Sequence, residues 1–250
     1  MRVQTAISGA SLVLLYPSIV AASGPVAVTQ SGSLAAPSVM LMTLAALALM
    51  PFVVMMATSF VKISVVLSIV RNAVGTQQVP PAAVITGLSV VLTMYVMAPV
   101  ADEMIAGVRS TFAAESREFS PGSVDDLVKA AGAAKDPLVR FLRANAGEME
   151  LSMLERMAAE RWKGRTVSRD DLVVLIPAFV LSQLREGFRL GFCVYIPFLV
   201  VDLVVVNALL ALGMSMLQPS VISVPVKILV FMAADGWALL ARGLVESFRG

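Results

Sequence analysis

Two ionisable residues, Asp202 and Lys227, sit inside or at the edge of stretches that are otherwise apolar. Between them runs Gly213 to Pro225, GMSMLQPSVISVP, which carries glycine and proline breaks and two methionines, Met214 and Met216. Charged groups in apolar surroundings are expensive, so a chain that keeps them supplies a partner or a pathway for them. The other usual chemistries are missing from the sequence. There is no histidine, which removes the common general base near neutral pH and the common metal ligand. No G-x-x-x-x-G-K-[ST] loop is present to cradle nucleotide phosphates. The single cysteine, Cys193, rules out an intramolecular disulfide, and with no base beside it an inert packing role is expected. These features argue against an enzyme, a metal site or a bound cofactor.

The composition says what must position these residues. Hydrophobic residues make up 58% of the 250 and charged residues 14%, well below the roughly 25% of a soluble domain. The protein is therefore expected in a membrane. A net charge of +2 gives no reason to expect nucleic acid as a partner. The charges are unevenly spread: 23 of the 36 lie between Asp102 and Asp170.

Taken in order, residues 1–23 have the pattern of a secretory signal: Arg2, an apolar core from Ala6 to Val20, and small residues before Gly24. Residues 24–38 read as a flexible linker. Residues 39–100 form a first apolar helical hairpin, with a kink expected at Pro51, a loop at NAVGTQQVPP and an end at Pro99. Residues 101–171 form a polar helical domain with helical spacing at Val124 to Ala131, Pro137 to Ala144 and Leu151 to Trp162. Residues 172–250 form a second apolar hairpin. There Gln183, Arg185, Glu186 and Arg189 are expected to be a polar joint between two helices. The fold class is all-α and membrane-associated, with two hairpins and a polar domain between them. A cleaved signal would put that domain outside the cytoplasm, and Lys62 and Arg71 give the positive-inside rule its only support for this orientation.

On the residues alone, a pore subunit and a small-solute transporter stand close to level, and a non-conducting membrane scaffold is a third class. Both of the first two place charges beside broken helices. Internal repetition would favour the transporter, and residues 39–100 show no convincing similarity to 172–245.

Longer motifs separate these readings. TSFVKISVVLSIVRNAVGTQQVPP (Thr58 to Pro81), YVMAPV (Tyr95 to Val100) and the terminal DGWALLARGLVESF resemble the type III secretion export-apparatus R subunit, the FliP/SctR family. The GTQQVPP wording is closer to the injectisome branch, whereas a leader peptide is the more flagellar trait. The resemblance implies a homopentamer in the bacterial inner membrane. It assembles there with other export-apparatus membrane subunits, the S, T and U components, into a gate for unfolded secreted proteins. It further implies that Met214 and Met216 belong to a methionine gasket, although Ser215 and Leu217 depart from the usual run of adjacent methionines. Asp202 and Lys227 match family positions that make contacts between subunits. A further family acid falls at Gln183, so that contact is either a neutral hydrogen bond or moves to Glu186.

Overall fold

A computed structural model describes residues 37–75, 80–114, 124–162, 167–214 and 216–248. The expected signal peptide and nearly all of the linker lie outside these residues. The chain divides into two units, Met1–Leu47 and Ala48–Gly250, and the boundary falls within α1 (Pro37–Met56). The second unit holds the rest of α1 and every later helix.

The described residues contain no strand, in keeping with the all-α expectation. After α1 come α2 (Phe60–Val74), α3 (Ala82–Ala114), α4 (Val124–Asn145) and α5 (Glu148–Arg161). The second half holds α6 (Leu172–Ala211), α7 (Ser220–Ala233) and α8 (Gly236–Glu246). In α2 the buried positions Ile63, Val66, Leu67, Val70 and Ala73 recur at three and four residues, so one stripe faces inward. The helix stops at Gly75, whose φ of +80° only glycine adopts freely, and the Gly75 N–H donates to the Asn72 carbonyl.

The packing centres on α2 against α6. Gly187 and Gly191 stand one turn apart on α6, and a Cβ at Gly191 would lie 2.4 Å from Ile69 Cδ1. The two glycines let the α2 backbone come close, as small residues do in membrane helix pairs. One apolar cluster joins α2 to Ile85, Phe198, Phe231, Leu240 and Leu244. A second joins Val100, Phe141, Leu142 and Leu151 to Leu175, Ala178 and Phe179.

Several expectations about breaks are corrected. The expected polar joint is the interior of one 40-residue helix, about 60 Å long. Gln183, Arg185 and Glu186 each find a side-on partner, and Gln, Arg and Glu are good helix formers, so the backbone has no reason to open. Pro99 does not end α3, which continues into the charged region, because Val100 and Met104 pack into the second cluster on its far side. The two helical stretches expected at 124–131 and 137–144 are one helix that contains Pro137. Between α1 and α2 the chain bends by 66°. There the Thr58 hydroxyl donates to the Met55 carbonyl and accepts from the Phe60 N–H, competing with the backbone ladder. The last apolar segment is also bent, by 61° between α7 and α8.

Among the described residues α3 and α6 are long and apolar enough to cross a bilayer, and there are up to four crossings if each bent pair counts as one. Large apolar side chains on the outside of α6, among them Phe188, Phe192, Leu203 and Val204, stay exposed in the single chain. Surface of this extent is covered by lipid or by other protein. Cys193 lies on that exposed side, so it does not pack inside the chain as expected.

Candidate functional site

The sequence separates two lysines from their acids, and the fold brings both pairs together along α6. Lys227 on α7 is buried, and its Nζ donates to Asp202 Oδ2 at 2.6 Å and to the Ala73 carbonyl at 3.2 Å. Ala73 belongs to the last turn of α2, where carbonyls lack helical partners and the helix dipole favours a cation. Lys62 on α2 is fully buried, and its Nζ donates to Glu186 Oε2 at 2.8 Å and to the Ser247 carbonyl at 3.3 Å. Ser247 caps the C-terminal end of α8, so this lysine also meets a helix C-terminus. Each lysine thus staples an acid of α6 to the end of a second helix. The two acids are 16 residues apart along α6, about 24 Å.

The acids are less enclosed than the lysines. Their side chains keep 39% (Asp202) and 46% (Glu186) of their exposure. Gln183 is turned inward and fully buried, with its Nε2 donating to the Asn145 carbonyl at 2.7 Å. It therefore ties α6 to the end of α4, and it does not reach the surface where a neighbouring subunit would find it. Asp202, Lys227 and Glu186 likewise have partners inside one chain. Lys62 is a buried core residue of α2 and contributes no loop charge to the positive-inside argument.

Sequence reasoning had no means to pair Lys62 with Glu186, because the two lie 124 positions apart in the chain. The role of the C-terminus was equally hidden. The available signal was that Lys62 interrupts an otherwise apolar helical stripe.

The methionine link follows the end of α6. Gly213 has a φ of +72°, the Gly213 N–H donates to the Leu210 carbonyl and the Met214 N–H to the Leu209 carbonyl. This is a glycine-terminated helix end that satisfies its last carbonyls and turns the chain sharply. Met214 is partly exposed and Met216 entirely so, which leaves a flexible apolar side chain with nothing of its own chain around it.

No group of His, Cys, Asp or Glu suited to a metal ion occurs among the described residues. The class defined by this fold and site is a helical membrane protein whose buried charges brace helices. The FliP family model matches residues 42–244, and the chain belongs to the FliP family. It is 42% identical to "Pathogenicity-related ORF2" of Xanthomonas campestris pv. glycines, over 85% of this chain and 97% of that protein. It is 40% identical to "Hypersensitivity response secretion protein HrcR" of Ralstonia nicotianae, over 82% and 94% of the two chains. It is 39% identical to "Yop proteins translocation protein R" of Yersinia pestis, over 84% and 96%. The resemblance to the type III secretion R subunit therefore holds, and the protein is a non-enzymatic membrane component of that export machinery. Membership implies other subunits of the apparatus as partners.

Proposed function

We propose that this chain is a core pore subunit of a type III export gate through which unfolded substrates leave the cytoplasm. It acts as a homopentamer in the bacterial inner membrane, together with the S, T and U components, and its polar domain faces the periplasm. The observation that carries the reading is Met216, a wholly exposed apolar side chain just beyond the glycine turn at Gly213. In a symmetric ring, copies of this link meet at the axis, and methionine can pack around irregular chains and close behind them. The names of the relatives, which speak of hypersensitivity response secretion and of Yop proteins translocation, favour the injectisome branch.

Contacts with neighbouring subunits run through the open sides of Asp202 and Glu186, since each acid already holds a lysine on its inner side. Lys227 acts through Asp202 in this arrangement. Gln183 contributes indirectly, by fixing α6 against α4.

Native mass spectrometry of the detergent-purified protein, expressed with its small partner subunits, is expected to find five copies. A monomer or a dimer under conditions that keep the partners bound would favour the transporter or scaffold reading instead.

A further inference from the structure

The last described residues close over the buried Lys62. Its Nζ lies 4.0 Å from the centroid of the Phe248 ring and donates to both the Ser247 carbonyl and the Ser247 hydroxyl at 3.3 Å. Phe248 packs against both apolar clusters and stacks on Phe141 of α4, with centroids 6.3 Å apart. At the other end of α8 the backbone turns at Asp235, whose φ of +50° is a left-handed conformation that few residues besides glycine tolerate. The next residue, Gly236, lies under the Phe231 ring, so that a Cβ there would be 2.2 Å from Phe231 Cε2. Between these ends, Leu240 and Leu244 face inward, whereas Arg242 and Glu246 pair with each other on the outside.

We propose that the end of α8 is a clasp, held shut by Ser247 and Phe248 over Lys62, while Leu240 and Leu244 keep the rest of the helix in the core. The latch consists of a cation over a ring and of hydrogen bonds from a charged donor. Both kinds of interaction act over short range and are lost together when the end of the helix lifts. The clasp thereby decides whether Lys62 is sealed within the chain or presented at its surface.

The test is amine acetylation of the detergent-solubilised full chain, read residue by residue by mass spectrometry. Lys62 is expected to be protected relative to the exposed Lys135. F248A, or truncation after Glu246, is expected to raise Lys62 labelling by about tenfold while Lys227 stays protected. F248Y, which keeps the ring, is expected to restore protection. Continued protection of Lys62 in both F248A and the truncated chain would overturn the proposal. So would equal exposure of Lys62 and Lys227, because the C-terminus would then be holding the whole fold and not a local clasp.

Discussion

Asp202→Ala is expected to destabilise the protein more than Lys227→Met, although both remove the same ion pair. The asymmetry follows from burial. Without Asp202, the Lys227 ammonium remains enclosed and keeps its hydrogen bond to the Ala73 carbonyl, but it has lost its counter-charge. Stranding a buried charge costs on the order of 3–5 kcal/mol. Without the lysine charge, Asp202 keeps a side chain that is 39% exposed and rehydrates, and methionine retains much of the apolar stem. That loss is about 1 kcal/mol, in the range of exposed pairs. The same order is expected for Glu186→Ala against Lys62→Met, with the larger gap because Lys62 is fully buried. Thermal unfolding midpoints in one detergent, compared across the four variants and their double mutants, check the ordering. Equal losses for acid and lysine variants would mean that a stranded lysine costs no more than a stranded acid, and would contradict the ordering.

Gly191→Leu carries the second large effect. Even the first atom of a side chain there meets Ile69, with Cδ1 at 2.4 Å and both Cβ and Cγ2 at 3.1 Å. Cδ1 can swing away, but Cβ is fixed to the α2 backbone, so α2 itself must move. Gly191→Ala is expected to cost about 1–3 kcal/mol, typical of overpacking, and leucine more. Gly243 on α8 is a fitting control, because a Cβ there meets nothing within 4 Å. Gly243→Ala is expected to be neutral or to gain up to about 1 kcal/mol from helix propensity. If Gly191→Leu unfolds at the wild-type temperature, close approach of α2 and α6 is not what holds the two hairpins together.

The apolar segments, the helix end at Gly75 and the glycine break at Gly213 were legible in the sequence, because each is written in local pattern; the expected loop from Asn72 starts later, since Asn72 to Val74 still belong to α2. The places where local pattern misled are those where local cost met tertiary packing. Pro99 and Pro137 each give up one backbone bond, yet the helices continue because buried side chains such as Val100, Phe141 and Leu142 lie beyond them. The polar residues from Gln183 to Arg189 looked like a joint because polarity in an apolar run usually marks an exit to water. Here three of them are answered from the side by α2, α4 and α5. The break at Asp235 carried only a glycine as warning, and Phe231 and Trp237 meet edge to face across it at 5.1 Å. The pairing of Lys62 with Glu186 was beyond any local pattern.

The ion pairs hold α6 to α2 and α7 within one chain, and Met214 and Met216 beyond Gly213 remain exposed. Closure of the resting pore by Met214 and Met216 is the centre of the proposed function. The direct measurement is small-solute leakage in cells that express M214A/M216A with its partner subunits, after confirming that the complex assembles in wild-type amounts. Leakage across the inner membrane is expected to increase. Unchanged leakage with normal secretion would contradict the gasket and leave these two methionines as packing residues.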